Sequence, residues 1–159
     1  MKLNKKVLGL VLAGMLSVGM VGCGNNETEI QESQVKQEEN SEFNEYNILS
    51  FSEIEVDEKP VFDDSTYINF NCDVTNNSDK IIKTVTVYFS FYDENGNILS
   101  STYPQDPNSI LSNQSFNITG LYDSAEYDVK EIKVTGYSYY IGDNYYQVDL
   151  VGEVAEVWE

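Results

Sequence analysis

The sequence from Val85 to Gly96 reads Val-Thr-Val-Tyr-Phe-Ser-Phe-Tyr-Asp-Glu-Asn-Gly. Apolar residues stand at positions 85, 87, 89 and 91, and successive side chains of a strand point to opposite faces. One face of this strand is therefore apolar, and burying each Val or Phe contributes roughly 1.5–3 kcal/mol. The stretch predicts a core strand that ends in an Asn-Gly turn and needs the apolar faces of other strands.

Short alternating segments separated by turn residues continue on both sides of this strand. They predict strands at about 46–56, 67–74, 81–93, 98–103, 115–120, 129–141 and 144–154. The expected fold is all-β, an immunoglobulin-like antiparallel β-sandwich of about seven strands over residues 46–159. A barrel with the same strand count is the alternative. Pro60 is expected to end the first strand, and Pro104 and Pro107 to lie in a loop, because proline lacks the N–H that pairing needs.

The first 22 residues have the pattern of a secretory signal peptide. Lysines at positions 2, 5 and 6 precede an uncharged, largely apolar run from Val7 to Gly22, which is shorter than the about 20 residues that span a bilayer. The run ends in Met20-Val21-Gly22-Cys23 and resembles the lipobox of bacterial lipoproteins. That resemblance implies a palmitate-type lipid on Cys23 and an anchor on the outer face of the cell membrane. A plain signal peptide with a chance cysteine is the alternative.

Residues 23–45 follow as an expected tether. Seven glutamates and the single lysine Lys36 are interleaved with Asn, Gln, Ser and Thr between Gly24 and Glu45. Such a segment has too little apolar area to offset its chain entropy, so we expect a disordered acidic linker that holds a domain away from the membrane.

The charge of the chain excludes several kinds of partner. The sequence has 27 acidic residues against nine lysines, with no arginine and no histidine. Nucleic acid and anionic lipid headgroups are not expected to bind, because phosphate recognition depends on Lys and Arg. The missing histidine removes the commonest general base and metal ligand, so neither an enzyme nor a cofactor is expected.

A family resemblance is carried by Phe89-Ser90-Phe91-Tyr92-Asp93, which resembles the signature of the FxLYD domain. Three further segments between Ile68 and Val134 are similar to that family: residues 74–78, 93–96 and 110–116. Within the last of them, Asn113 stands where the family has glycine. The resemblance implies a β-sandwich module of bacterial and archaeal surface proteins and lipoproteins, with no established catalytic activity.

The densest group of aromatic residues lies near the C-terminus and comprises Tyr137, Tyr139, Tyr140, Tyr145 and Tyr146. A hairpin turning at Gly142-Asp143 brings several of them together. Strict alternation places Tyr137 and Tyr139 opposite Ile132 and Val134, so we expect both tyrosines to be at least partly exposed. Exposed tyrosines stack on sugars or anchor a protein partner. The alternative is that they are cross-strand pairs that stabilise the sheet.

Two further groups have structural explanations. Asp93, Asn95 and Asn97 resemble the start of a calcium loop, but the rest of that loop does not fit, and a hairpin turn explains the same residues. Cys72 is interpreted as a buried small hydrophobic residue.

The sequence therefore predicts a lipid-anchored, extracytoplasmic and non-catalytic binding module. Its partners are expected to be the membrane, through Cys23, and an unidentified protein or cell-wall glycan, with the five tyrosines as the candidate site. The alternative is a small carboxylate-dependent hydrolase of the cell envelope, since two acidic residues suffice to cleave a glycoside.

Overall fold

A computed structural model of the protein describes residues 42–159. The expected signal peptide at 1–22, Cys23 and the expected tether up to residue 41 lie outside the described residues. The described part of the chain contains one short helix, α1 (residues 42–46), and ten strands. None of its helices is long and apolar enough to cross a bilayer.

The strands form two antiparallel sheets, which confirms an all-β sandwich. Their bounds are β1 (Leu49–Phe51), β2 (Glu55–Pro60), β3 (Tyr67–Asn76), β4 (Ile82–Tyr92), β5 (Ile98–Thr102), β6 (Gln105–Ile110), β7 (Ser115–Asp123), β8 (Glu131–Ile141), β9 (Asn144–Asp149) and β10 (Val154–Trp158). In the four-stranded sheet, β3 pairs with β7 on one edge and with β1 and β2 on the other. In the six-stranded sheet the order is β10-β9-β8-β4-β5, and β6 also pairs with β4.

The core forms where β3 and β4 face each other between the sheets. All four apolar residues predicted to point inward from β4 are buried: Val85, Val87, Phe89 and Phe91. The ring of Phe70 on β3 meets Phe89 edge-on with centroids 4.9 Å apart. Gly120 gives this ring its space, because a Cβ there would come within 2.2 Å of the Phe70 ring.

A β-bulge interrupts the pairing of β4 with β8. Tyr88 lies opposite Gly136, but the next residue, Phe89, lies opposite Val134. Thr135 is therefore an extra residue in β8. Its side-chain hydroxyl lies 3.2 Å from the carbonyl oxygen of Tyr88, which fixes the bulge to the neighbouring strand.

The bulge reverses the alternation of side chains along β8. Ile132 and Val134, on its N-terminal side, pack against the core. Tyr137 and Tyr139, on its C-terminal side, are also directed inward and have no exposed surface. The expectation that these two tyrosines lie opposite Ile132 and Val134 is therefore wrong, because one inserted residue exchanges the two faces of every residue that follows it.

The N-terminal boundary of the domain also differs from the expectation. Residues 42–46 are helical rather than part of a tether or strand, and the Asn47 N–H donates to the carbonyl of Phe43 at 2.8 Å. Phe43 is a core residue with 8% of its surface exposed. The expected first strand is two strands, since β1 and β2 pair with successive parts of one edge of β3. This division, the turn between β9 and β10, and β6, which lies where a loop was expected, raise the strand count from about seven to ten.

Pro60 ends a strand and Pro104 lies outside the strands, as expected, but the expectation that Pro107 lies in a loop is wrong. Pro60 is the last residue of β2 and Pro107 lies within β6. Pro104 contributes only its carbonyl, which accepts a hydrogen bond from the Val87 N–H at 3.0 Å. Edge strands such as β6 tolerate proline because an N–H that faces away from the ladder is not needed.

Candidate functional site

The five predicted tyrosines divide between the two faces of the six-stranded sheet. Tyr137 and Tyr139 are buried, and the half-buried Tyr146 stacks on Tyr139 with ring centroids 5.0 Å apart and planes 3° apart. Tyr140 and Tyr145 are register partners on the opposite face, with centroids 5.1 Å apart. The structure thus brings the five residues into one hairpin but not into one surface patch.

The buried tyrosines hold the N-terminal segment against the sheet. The Tyr137 hydroxyl donates to Oδ1 of Asn47 at 2.9 Å and accepts from the Leu49 N–H at 3.2 Å. The Tyr139 hydroxyl donates to the carbonyl of Tyr46 at 2.9 Å. Burial raises the pKa of both hydroxyls above the ordinary value of tyrosine, because water no longer stabilises the phenolate. Both residues are structural, and the prediction that they form a binding site is wrong.

Exposed and half-buried aromatic residues nevertheless cover the outward side of the six-stranded sheet. We call this surface the outer aromatic face and define it by Tyr88, Tyr103, Tyr140, Tyr145 and Trp158. The Trp158 ring lies 5.3 Å from Tyr145, whose hydroxyl is 3.3 Å from that of Tyr88. The Tyr103 ring stands edge-on to Tyr88 at 5.6 Å and 82°. The rings therefore form a connected row across β10, β9, β8 and β4 to the end of β5.

Sequence reasoning found only part of this row. It placed Tyr88 opposite the apolar face of β4, which is confirmed. Trp158 faces Tyr145 as a register partner on the outer aromatic face. Tyr103 was missed. The sequence signal for Tyr103 was the Asn-Gly hairpin, which predicts that the strand ending next to Tyr103 pairs with β4.

A groove of about 400 Å³ opens on this face beside Tyr88. Three tyrosines and several uncharged polar side chains line it, including Tyr88, Tyr92, Tyr103, Ser90, Ser101, Thr135 and Gln147. Gly136 also contributes to the lining. A Cβ at that position would lie 2.6 Å from the carbonyl oxygen of Val148 and 3.2 Å from the Tyr88 ring, so only glycine lets Tyr88 lie across β8 here.

The outer side of the four-stranded sheet has a different character. The Asn117 amide donates to Oδ1 of Asn71 at 3.1 Å and to Oδ1 of Asp73 at 3.0 Å. The Asn69 amide donates to Asp57 at 3.1 Å. These polar side chains bond to one another across the strands. The two faces of the sandwich are therefore unlike, and the exposed aromatic row belongs to one of them.

The turn at Asp93 has the geometry of a hairpin. Oδ1 of Asp93 accepts hydrogen bonds from the N–H groups of Asn95 and Asn97, both at 2.8 Å, and Oδ2 accepts from the Asn97 amide at 2.9 Å. These bonds hold the pKa of Asp93 below its usual value. The carboxylate is thus engaged within the turn. Within residues 42–159, no group of three or more acidic, Cys or His side chains is arranged to hold a metal ion.

Cys72 is a buried free cysteine, as predicted. Burial, followed by the nearby charge of Asp73, raises the pKa of its thiol to about 11. A thiol in this environment stays protonated near neutral pH and packs as a small apolar side chain.

Comparisons with known proteins leave the family open. No family model matches the sequence, and no curated protein matches it. A solved structure described as the X-ray structure of Northeast Structural Genomics Consortium target SoR45 is 16% identical, with a TM-score of 0.35, over 71% of this chain and 80% of that chain. Similarity at this level says nothing about what the present chain binds. The resemblance of Phe89–Asp93 to the FxLYD signature stays a prediction.

Proposed function

We propose that this protein is a bacterial lipoprotein, anchored through Cys23 to the outer face of the cell membrane, whose sandwich is a non-catalytic binding module. The observation that carries the binding role is the outer aromatic face. Tyr103 is 62% exposed and Trp158 44% exposed, although a core is present that could bury such rings. Large rings left in contact with water on one face are typical of an interaction surface.

The position of the groove suits a domain that is held at its N-terminus. Glu42, Tyr46 and Trp158 line one hollow, so the chain enters the sandwich near the last strand. Along β4, Lys83 pairs with Tyr140 near this end, and Tyr92 lies at the opposite end. The strand advances by nine residues from Lys83 to Tyr92, so these two ends are roughly 30 Å apart. The groove lies toward the far end, where an anchor at the N-terminal side leaves it accessible.

The alternative, a carboxylate-dependent hydrolase, has less support. A general acid needs a carboxyl group whose pKa is raised. The pKa values of Asp93 and Asp123 are lowered instead. Hydrogen bonds from Asn97 and Asn95 lower the pKa of Asp93, and hydrogen bonds from Thr66 and the backbone of Ala125 lower the pKa of Asp123. These groups are suited to hold loops in shape rather than to deliver a proton.

The anchoring part of the proposal is tested with Cys23→Ser. This variant should lose its acyl group and should either appear in the medium or accumulate as an unprocessed precursor. Fractionation of cells and metabolic labelling with palmitate report both properties. A Cys23→Ser protein that stays acylated and membrane-bound like the wild type would refute the anchor.

The binding part is tested by photo-crosslinking on living cells. A photoreactive amino acid at Val151, which lines the groove and is 74% exposed, should capture a partner. The same group at Leu121, which is 47% exposed on β7 of the four-stranded sheet, is the matched control and should not. Equal capture at both positions, or none at either, would contradict a binding role for this face.

A further inference from the structure

We infer that the groove beside Tyr88 binds a sugar chain without acidic groups, that is, a neutral or amine-bearing oligosaccharide. This inference rests on the proposed function and specifies the ligand class of the same face. It follows from three properties of the groove: the arrangement of its rings, the state of its hydroxyl groups and the sign of the surrounding charge.

The rings form a corner that suits a pyranose. Tyr88 and Tyr103 meet at 82° with centroids 5.6 Å apart, so the two ring planes form the walls of a corner. A sugar ring has weakly polar C–H faces and a rim of hydroxyl groups. Its C–H face packs on a tyrosine face, and its rim reaches the polar groups beside it. Tyr88 is half-buried and its ring packs against Tyr103, which limits the motion of the ring and lowers the entropy lost on binding.

The hydroxyl groups in the groove are weakly bonded to one another. Oγ of Ser90 lies 3.3 Å from Oγ of Ser101 and 3.3 Å from Oγ1 of Thr135. Good O–H···O bonds are about 2.7–2.8 Å long. Ser90 is only 6% exposed, whereas Ser101 is exposed, so the Ser101 hydroxyl, which both donates and accepts, is the one that can exchange its long internal bond for a shorter one to a sugar hydroxyl. The Gln147 side chain, also in the groove, adds two donors and an acceptor.

The charge of the domain selects against acidic ligands. Residues 42–159 contain 22 acidic residues and five lysines. Asp149 lines the groove itself. Lys133 lies over the Tyr92 ring at 4.9 Å, but it is also paired with Glu131 at 2.9 Å. A uronic acid or phosphate would meet uncompensated negative charge, whereas neutral sugars would not and an amine would be attracted.

The test uses the full chain, purified in detergent, and three sets of immobilised probes. These are neutral cello-, xylo-, manno- and chito-oligosaccharides, amine-bearing chitosan oligosaccharides, and anionic oligogalacturonates. The wild type should bind at least one member of the neutral or amine set and should not bind the anionic set. Tyr103→Ala should weaken that binding by about tenfold or more. Tyr67→Ala removes a tyrosine of similar exposure from the four-stranded sheet and should bind like the wild type.

Failure of this inference is distinguishable from failure of the proposed function. If the wild type binds no neutral or amine-bearing probe, if it prefers the anionic set, or if Tyr103→Ala and Tyr67→Ala bind equally well, the ligand class is wrong. In that case capture of a protein at Val151, but not at Leu121, would leave a binding module with a protein partner. If no probe binds and neither position captures anything, both proposals fail.

Discussion

At the scale of single residues, the tyrosines that stabilise the core differ from those that face solvent in what their hydroxyl groups bind. Tyr137 is fully buried, and its hydroxyl is the acceptor for the Leu49 N–H. Tyr140, three residues later, is 37% exposed. Tyr137→Phe should lower the free energy of unfolding by about 1–3 kcal/mol, because it leaves a buried N–H without that partner. Tyr140→Phe should change it by no more than about 0.5 kcal/mol.

Urea denaturation of the two variants measures this difference. Equal midpoints would mean that the Tyr137 hydroxyl contributes nothing. The burial of Tyr137 and Tyr139 also reverses the expectation from the sequence that both are at least partly exposed. Both side chains have no exposed surface, and truncating one buried aromatic ring costs about 3–5 kcal/mol.

At the scale of elements, β4 is the strand on which both the core and the candidate groove depend. Phe89 is fully buried and meets Phe70 of the opposite sheet, whereas Tyr88 lies on the outer aromatic face. Phe89→Ala should cost about 3–5 kcal/mol, a large part of the stability of a typical domain. Tyr88→Ala should cost less, because Tyr88 is only half-buried. Chemical denaturation of both variants gives the comparison, and the reverse order would contradict the assigned faces of β4.

The bulge at Thr135 gives a second prediction for this element. Deleting Thr135 should restore strict alternation and turn Tyr137 and Tyr139 away from the core, so we expect the variant not to fold. Thr135→Ala keeps the residue count and removes one methyl group and the hydroxyl bonds to Tyr88 and Ser90, at a cost of about 1–2 kcal/mol. Circular dichroism and thermal unfolding separate the two. A deletion variant as stable as wild type would show that the bulge does not set the register.

The same bulge explains how far the sequence could predict this protein. Alternation in β4 and the Asn-Gly turn were sufficient to predict a buried core strand, a hairpin and an all-β sandwich. They placed Tyr88 on the correct face. The faces of Tyr137 and Tyr139 were predicted wrongly because strict alternation was assumed, although Gly136 within the strand pattern is a signal for a bulge. Phe43 was missed because a single apolar residue in a polar segment gives no pattern.

At the scale of the whole molecule, the sandwich joins a rigid, ring-filled core to one exposed aromatic face. The Phe70 ring on β3 contacts Phe89 and Phe91 on β4. These contacts fix the position of β4 from its core-facing side. Tyr88 and Ser90, which project from the other side of β4, are held by the same backbone. The groove is therefore preorganised by the core. Loosening the core should weaken binding even when no groove residue is changed.

The burial of so many ionisable rings predicts alkaline unfolding of the whole domain. Burial raises the pKa of Cys72 to about 11 and that of Tyr88 to about 12, and raises the pKa of Tyr137 and Tyr139 as well. In the unfolded chain these groups lose their protons near pH 8.5 for cysteine and about 10 for tyrosine. The unfolded state thus binds fewer protons at high pH. The stability from these groups is complete below about pH 8 and is lost as pH rises through 11 and 12.

Tyrosinate absorbance and circular dichroism, followed together from neutral to alkaline pH, measure this effect. The sheet signal should persist while the tyrosines at the surface ionise. The buried rings should ionise together with the loss of that signal, in one cooperative step above about pH 10, because a phenolate cannot form inside the core without opening it. Ionisation of all 12 tyrosines as a single group near their ordinary pKa, with the sheet preserved, would contradict the burial of Tyr137 and Tyr139 on which this account of the domain depends.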